Sequence, residues 1–240
     1  MSKRFTLEIS VATLESALAA ERGGADRIEL CGDLFVGGVT PGADLVRNVR
    51  AQVRIPIFVM IRPRAGDFVY STAEFAEMKR SMVGAKESGM DGVVLGVLTK
   101  AHRVDVERTR ELVELAKSLP VTYHRAFDES ADLQQALEDV IQSGAKKILT
   151  SGGARSAQEG VAVLAELLEA AAERIVIMPG AGISGVNIVE VAQRTRACEF
   201  HSGLSAALPY GSKEYKKFEK EVRKLAGQIA RISRAQTTSG

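Results

Sequence analysis

Three segments of the chain repeat one pattern of polar and apolar positions. In each, an amphipathic stretch ends at a glycine, a short polar spacer follows, and then comes a run of branched apolar residues; the segments are AAERGGADRIEL, AKESGMDGVVL and VIQSGAKKILT. Glycine suits the left-handed backbone position that ends a helix, here at Gly24, Gly89 and Gly144. The apolar run suits a strand that is buried on both faces of a parallel sheet. The pattern predicts the helix–strand half of a βαβ unit in all three places.

Extending this pattern along the chain gives eight candidate strands, most of them separated by amphipathic segments. The strands are RFTLEIS, RIELC, IPIFVMIR, GVVLGVL, VTYHRAF, KILTS, RIVIMPG and CEFHSG. Ser71 with Glu74 and Ser156 with Glu159 are candidate capping boxes, and Ser130 is a candidate cap for ADLQQALEDVIQ. Eight strands alternating with helices predict an α/β fold, a TIM-type (β/α)8 barrel, with an open doubly wound sheet as the alternative.

Neither a linker nor a shift in composition divides the chain, which predicts a single domain. We expect the barrel and its C-terminal helix to occupy residues 1–228, followed by a frayed tail over residues 229–240. Basic residues are frequent in KEYKKFEKEVRKLAGQIARISRA, but acidic residues alternate with them. That alternation is typical of the solvated face of a helix and not of a binding patch.

Composition and charge exclude several classes of partner. The 240 residues are 45% hydrophobic with a net charge of +2, so there is no electrostatic case for nucleic acid or an acidic membrane. No apolar run approaches the roughly 20 residues that span a bilayer, and MSKRFTLEISVA lacks a signal-peptide core. The two cysteines, Cys31 and Cys198, do not form a disulfide framework. The cytoplasm is the expected compartment.

Polar side chains gather at the predicted carboxyl ends of the strands, where barrels carry their functional residues. They are Glu8, Ser10, Glu29, Cys31, Arg62, Arg64, His124, Arg125, Asp128, residues 150–153, residues 179–183, His201, Ser202 and Gly203. Each has a structural explanation by itself, since a strand Glu is often an ion-pair partner and a lone Cys is often a core residue. Because so many map to one rim, a shared pocket is the better explanation.

Glycine-rich loops follow the last three predicted strands. In barrels, the backbone N–H groups of such loops often bind phosphate. TSGG, GAGI and HSG fit that arrangement, although glycines there also make tight corners where nothing binds. The predicted ligand-binding residues are Gly152, Gly153, Gly180, Gly182, Ser202 and Gly203.

The carboxylates and guanidinium groups of the rim describe a site for a polar or anionic small molecule. We expect Glu8 and Glu29 to be opposed by Arg62 and Arg125, because Arg binds carboxylate or phosphate with two parallel hydrogen bonds. An enzyme built on this rim would be an isomerase, a lyase or an aldolase-like enzyme. Its substrate would be a phosphorylated or anionic sugar-like metabolite.

Each candidate catalytic residue has a role in that hypothesis. The candidates are Glu8, Glu29, Arg62, His124 and Asp128. His124 or Glu29 would act as general base, and Arg62 would hold an oxyanion. Asp128 would orient Arg125 or His124. Strand alternation sends His124 and Arg125 to opposite sides, which favours His124 as the pocket residue.

The motifs RIELC, MIRPR, YHRAFD, TSGG, GAGI and HSG occur in this order, and with them the chain resembles the CutC family of cytoplasmic copper homeostasis proteins. The resemblance covers residues 4–210. It implies a TIM-type barrel that forms a homodimer or a higher homo-oligomer. It also implies a role in copper handling with Cu(I) as the ion, and Cys31 is the cysteine at the matching position.

Copper chemistry gives partial support to this implication. Cu(I) is soft and prefers thiolate, thioether and imidazole ligands. The candidate metal ligands are Cys31, His124 and His201, and Met60 and Met178 could supplement them. There is no CxxC or Met-rich run, so Cys31 would need ligands from another strand or subunit. Copper binding and metabolic catalysis therefore both remain open.

Overall fold

The computed structural model describes residues 5–204 and 214–237. Parallel strands and helices alternate along this part of the chain. The strands are β1 Thr6–Val11, β2 Arg27–Leu30, β3 Ile57–Met60, β4 Gly92–Leu95, β5 Val121–Tyr123, β6 Lys147–Thr150, β7 Val176–Pro179 and β8 Glu199–Ser202. The helices are α1 Leu14–Gly23, α2 Ala43–Gln52, α3 Thr72–Glu87, α4 Val106–Ala116, α5 Leu133–Ser143, α6 Val161–Ala171, α7 Ile188–Thr195 and α8 Tyr215–Thr237. All eight predicted strands are confirmed.

The strands form a barrel and not an open sheet. Hydrogen-bonded neighbours follow the chain from β1 to β7, and β8 pairs in parallel with β1, with Glu8 opposite His201. Strands β7 and β8 lie side by side and nearly close the ring. The predicted (β/α)8 barrel is therefore confirmed, and the doubly wound alternative is wrong.

Alternation along each strand separates two apolar regions. Leu7 and Ile9 are fully buried in the large core between the strands and the surrounding helices. The residues that alternate with these along each strand point into the barrel. On β3 these are Phe58 and Met60, which belong to a separate small apolar cluster. Since the charged strand residues share this inward parity, they lie inside the barrel.

Glycines end the helices as the repeated pattern predicts. Gly24 and Gly144 adopt positive φ angles of 92° and 90° directly after α1 and α5. Gly89 also has a positive φ, but it follows Ser88, which is the residue that caps α3. Each glycine turns the chain from a helix toward the next strand.

The predicted helix starts are confirmed in one case and shifted in two. At α3, the Glu74 N–H donates to Ser71 Oγ (3.3 Å) and the Ser71 N–H donates to Glu74 Oε2 (2.7 Å), which completes the capping box. Ser156 Oγ accepts from the Glu159 N–H, as a cap would, but both residues lie in a turn that precedes α6. Ser130 does not cap α5. Asp132 does, because its carboxylate accepts from two backbone N–H groups of the first turn.

The last helix packs across the first. Gly23 lets α8 approach α1 closely, since a Cβ at this position would lie 2.7 Å from Val222. Helix α8 continues to Thr237, past the predicted end of the ordered chain at residue 228, and residues 238–240 of the predicted tail lie outside the described residues. Within the described part of the chain, no helix is both long and apolar enough to cross a bilayer.

Candidate functional site

A cavity of about 510 Å³ opens at the carboxyl ends of the strands. Ten of the predicted rim residues line it: Ser10, Glu29, Arg62, His124, Arg125, Asp128, Ala181, Gly182, His201 and Gly203. Apolar walls come from Leu34, Val36, Phe68 and Leu149. Its size suits a small metabolite, because ligand pockets commonly span about 300–1,000 Å³.

Below this cavity, the barrel interior holds a chain of ion pairs. Arg27 Nε donates to Glu8 Oε2 (2.5 Å), and its NH2 group donates to Glu199 Oε2 (2.9 Å). Lys147 Nζ lies 2.5 Å from the other oxygen of Glu199. On the cavity side, His201 Nδ1 lies 2.8 Å from Glu8 Oε1. Glu8 is fully buried, so these partners replace the water it has lost.

The surroundings of these groups set their protonation. Burial by itself raises the pKa of Glu8, but the Arg27 charge and the His201 hydrogen bond outweigh it and lower that pKa to about 2. Burial also raises the pKa of Glu29, and the Glu8 charge adds to the rise. Burial lowers the pKa of His201, but the charges of Glu29 and Glu8 outweigh it and the net shift is upward. Glu8 therefore stays ionised. Glu29 and His201 both have raised pKa values, so each of them holds a proton to a higher pH than it would in water.

Cys31 lies beneath the cavity and is fully buried. Its Sγ donates to Glu29 Oε2 at 3.4 Å, and its side chain packs in the cluster that includes Phe58 and Met60. Burial raises the pKa of the thiol, and the Glu29 carboxylate raises it further. Gly38 makes this packing close, because a Cβ there would lie 3.0 Å from the sulfur.

The structure brings together only part of the predicted metal-ligand set. Glu8, Glu29 and His201 each offer a ligand atom within 4.8 Å of the other two. Of the described residues, Cys31 and His124 do not join this group. Cys31 nevertheless adjoins it through Glu29, whereas the imidazole of His124 packs against Phe68 with 4.8 Å between ring centroids.

Asp128 anchors the loop after β6. Its carboxylate accepts from Thr150 Oγ1 (2.5 Å), from both the N–H (3.1 Å) and the hydroxyl (3.0 Å) of Ser151, and from the Gly153 N–H (3.0 Å). Arg125 Nε lies 2.8 Å from its second oxygen. Asp128 therefore orients Arg125, which is one of the two residues it was predicted to orient. It also positions the loop after β6, a role that the sequence did not indicate.

Three of the glycines predicted to bind a ligand have N–H groups that already bond within the protein. Gly152 donates to Thr150 Oγ1 (2.8 Å), Gly153 donates to Asp128, and Gly180 donates to the Thr150 carbonyl (2.9 Å). Their backbone amides are therefore not available for phosphate in this conformation. The first two of these bonds shape the loop after β6, and the third continues the hydrogen-bonded ladder between β6 and β7.

Two other glycines of the predicted set do line the cavity. Gly182 follows Ala181, and both have positive φ angles, of 76° and 67°. Gly203 also lines the cavity, directly after the neighbouring strand β8. Ser202 faces away from any ligand, because its hydroxyl donates to the Ile183 carbonyl at 2.6 Å. A phosphate role thus remains a prediction for Gly182 and Gly203.

Glu29, Arg62 and Arg125 line the same cavity, but among the described residues no ion pair joins Glu8 or Glu29 to Arg62 or Arg125. Glu8 pairs with Arg27, which sequence reasoning missed, although Arg27 shares the inward parity of Glu29 in RIELC. The guanidinium of Arg62 donates to backbone carbonyls of Val36, Gly38 and Gly66. These bonds hold the loops after β2 and β3 against each other.

His124 and Arg125 both line the cavity, so the prediction that alternation would separate them is wrong. Strand β5 ends at Tyr123, and a 3-10 helix begins at Arg125, which ends the alternation. His124 Nδ1 accepts the Ala126 N–H (3.1 Å), so the ring proton of the neutral form is on Nε2. Burial and the Arg62 charge lower the pKa of His124 to about 3. Without a free basic nitrogen, His124 cannot serve as the predicted general base.

Comparison with known families now places the chain. Residues 5–206 match the family model described as the CutC family. The chain belongs to the CutC family. The match includes every strand of the barrel and all the cavity residues named above.

Curated and structural relatives agree with this assignment. The family protein CutC of Xylella fastidiosa (strain 9a5c) is 48% identical over 208 residues, which cover 87% of this chain and 78% of the relative. A human relative called copper homeostasis protein cutC homolog is 45% identical over 209 residues, covering 87% and 77%. The crystal structure of CutC from Streptococcus agalactiae superposes with a TM-score of 0.78 at 30% identity, covering 82% of this chain and 98% of that one.

The buried neutral His124 makes the stability of this CutC-family barrel sensitive to acid. Its pKa is about 3 in the folded protein against 6.5 for an ordinary histidine, so the unfolded chain binds the extra proton first as the pH falls. Stability contributed by this residue is complete above pH 6.5 and is lost as the pH falls toward 3, by up to about 1.4 kcal/mol per pH unit.

We therefore expect wild-type protein to lose more stability than His124→Phe between pH 7 and pH 5. Urea denaturation of both proteins at the two pH values measures the difference directly. Equal losses for the two proteins would contradict a buried neutral imidazole.

Proposed function

We propose that this CutC-family barrel acts in copper homeostasis and binds Cu(I) at the floor of the cavity. Membership of the family and the name of the human relative support the copper role. The observation that carries the site is the position of Glu29 Oε2, which lies 3.4 Å from Cys31 Sγ and 3.8 Å from His201 Nε2. One carboxylate oxygen thus contacts both a thiol and an imidazole, two ligand types that Cu(I) accepts. Because Cys31 lies outside the group in which Glu8, Glu29 and His201 are within 4.8 Å of one another, the thiol and the imidazole would have to move closer together to share one ion.

The other side chains near this point differ in how well they fit Cu(I). Met60 packs in the same cluster as Cys31 and offers a soft thioether. Met178 fits less well, because its sulfur accepts a hydrogen bond from Arg27 at 3.4 Å. Glu8 fits poorly, because any cation bound there would compete with the Arg27 guanidinium 2.5 Å away. The donors that suit copper are therefore Cys31, His201 and Met60.

The proton of the thiol must leave for copper to bind as thiolate. Glu29 already accepts that proton in a hydrogen bond, so the acceptor is in place at 3.4 Å. A cation bound between Glu29 and the sulfur would supply the positive charge that stabilises a thiolate there. The raised pKa keeps the thiol protonated until a cation binds, and the bound cation would make the thiolate form favourable.

Serine substitution of each cysteine tests the proposal. We expect the reduced protein to bind one Cu(I), and Cys31→Ser to weaken binding by at least about a hundredfold, because a serine oxygen is a poor ligand for a soft ion. Cys198→Ser is the matched control, since that partly exposed cysteine lies outside the cavity. Competition against a Cu(I) chelator of known affinity measures both. Unchanged affinity in Cys31→Ser, or equal loss in both variants, would overturn the assignment.

The proposal includes a cytoplasmic location and a homodimer or higher homo-oligomer, both of which the family resemblance implies. No disulfide joins Cys31 to Cys198 in the described part of the chain, which suits a reducing compartment. Light scattering during size-exclusion chromatography would test the oligomer, which we expect to exceed the monomer mass of 25.7 kDa. The enzyme alternative is not proposed, because the name of the human relative favours copper handling.

A further inference from the structure

The guanidinium of Arg62 is a buried positive charge beside the cavity. Only 5% of the residue is exposed, and its hydrogen bonds go to three neutral backbone carbonyls at 2.8–2.9 Å. Its Nε makes no hydrogen bond of normal geometry, and the nearby Tyr70 hydroxyl, which interacts with the guanidinium, carries no charge to balance it. Within residues 5–204 and 214–237, no carboxylate forms an ion pair with it. A buried charge without a counterion is costly, so this arrangement favours an anion from outside the chain.

A second unsatisfied donor lies on the same aromatic ring. The Arg62 Cζ lies 4.8 Å from the centroid of Phe68, and the His124 ring centroid lies 4.8 Å from the same centroid. His124 Nε2 is buried and has no partner, while the Ala126 N–H holds Nδ1 as an acceptor. The Nε2–H is therefore a fixed hydrogen-bond donor. All three side chains of this wall line the cavity.

Arg125 adds a more accessible positive charge. Its side chain is 45% exposed and lines the cavity, and Asp128 and Ser151 Oγ hold it at 2.8 Å and 3.3 Å. Asp128 offsets the charge of Arg125 through their ion pair, so among the described residues Arg62 is the charge of this wall that no carboxylate pairs with. The wall thus offers the unpaired charge of Arg62, the neutral donor of His124 and the exposed N–H groups of Arg125.

We propose that this wall binds the oxyanion group of a small metabolite, a carboxylate or a phosphate. Arg62 supplies the buried charge, His124 Nε2–H donates a hydrogen bond, and the exposed guanidinium of Arg125 donates another at the entrance. The remainder of the ligand would contact the apolar side chains of Leu34 and Leu149 across the cavity. This site uses none of the donors assigned to copper, so it is a further function of the cavity.

Thermal unfolding of metal-free protein tests the site with two probes. Inorganic phosphate and malonate are compared with sodium chloride at equal ionic strength, so that screening alone gives no difference. We expect at least one probe to raise the melting temperature, since a ligand that binds only the folded state stabilises it. The probe with the larger shift identifies phosphoryl or carboxylate as the preferred group.

Variants that leave the loop-bracing bonds of Arg62 intact show whether the shift comes from this wall. We expect His124→Phe, which changes no charge, and Arg125→Gln each to weaken binding of the effective probe by at least about fivefold. Arg47→Gln removes an exposed charge on α2 and should leave binding unchanged. Cys31→Ser should also retain binding, which separates this site from the copper proposal.

Histidine-labelled protein gives a readout that a purely structural role would not change. The effective probe should shift the Nε2–H resonance of His124 in a nitrogen–proton spectrum and leave the exposed His102 unchanged. The proposal is overturned if neither probe stabilises the protein beyond sodium chloride. It is also overturned if the shift is equal in wild type, His124→Phe and Arg125→Gln.

Discussion

Replacing Arg27 with methionine is expected to destabilise the barrel by about 3–5 kcal/mol, because Glu8 then loses its guanidinium partner inside the barrel. Glu8 is fully buried and Arg27 is only 6% exposed, so water cannot replace the lost ion pair. The substitution also removes one of the two cations that pair with Glu199. Urea denaturation at pH 7 measures the loss of unfolding free energy.

Two comparisons isolate the ion pair from the change in packing. Adding Glu8→Gln to Arg27→Met removes the unpaired charge and should recover at least about 1 kcal/mol, a coupling typical of residues in contact. Lys79→Met breaks an exposed pair with Glu111 and should cost no more than about 1 kcal/mol. A loss of similar size in Arg27→Met and Lys79→Met would contradict a buried network.

Replacing Asp128 with alanine is expected to cost about 3 kcal/mol or more. The change leaves the Thr150 hydroxyl and the Ser151 N–H, both on fully buried residues, without their acceptor and removes the ion pair with Arg125. Each unsatisfied buried donor costs about 1–3 kcal/mol. Because the side chain of Asp128 is only 6% exposed, water replaces few of these bonds.

Asp132 provides the matched control for this prediction. It lies in the same connection and caps α5 through the N–H groups of Gln134 and Gln135. Loss of such a cap costs about 1 kcal/mol, so Asp132→Ala should be clearly milder than Asp128→Ala in the same urea titration. The anchoring role of Asp128 would be wrong if the two variants lost equal stability.

The fold could be predicted from sequence because its signals are local. A glycine such as Gly24 ends a helix, and the apolar run after it is a strand buried on both faces. These signals recur at a spacing that only a parallel α/β fold explains. Strand ends were predicted too long, since the pattern in VTYHRAF continues past Tyr123 although the hydrogen-bonded ladder ends there.

The members of the site were predicted more successfully than their partners. Glu29, Arg62, His124 and His201 do line one cavity, as strand-end position implied. Partner choice depends on which side chains face each other across the barrel. The pairing of Glu8 with Arg27 follows from strand register, a three-dimensional property. The same applies to Arg62, because its partners are backbone carbonyls of two loops, and any residue type carries a backbone carbonyl.

The local direction of a side chain at a strand end was also beyond sequence reasoning. Strict alternation would place His124 and Arg125 on opposite sides, but the 3-10 helix that starts at Arg125 turns both toward the cavity. The Ala126 N–H that fixes the His124 tautomer belongs to that same turn. Predicting it would have required knowing where β5 ends.

X-ray absorption at the copper edge tests the central claim most directly. The reduced protein carrying one Cu(I) should show a sulfur neighbour together with imidazole nitrogen, as Cys31 and His201 on either side of Glu29 imply. The sulfur signal should be retained in Cys198→Ser and reduced in Cys31→Ser. A copper environment without sulfur in wild type, or one unchanged by Cys31→Ser, would contradict the proposed site.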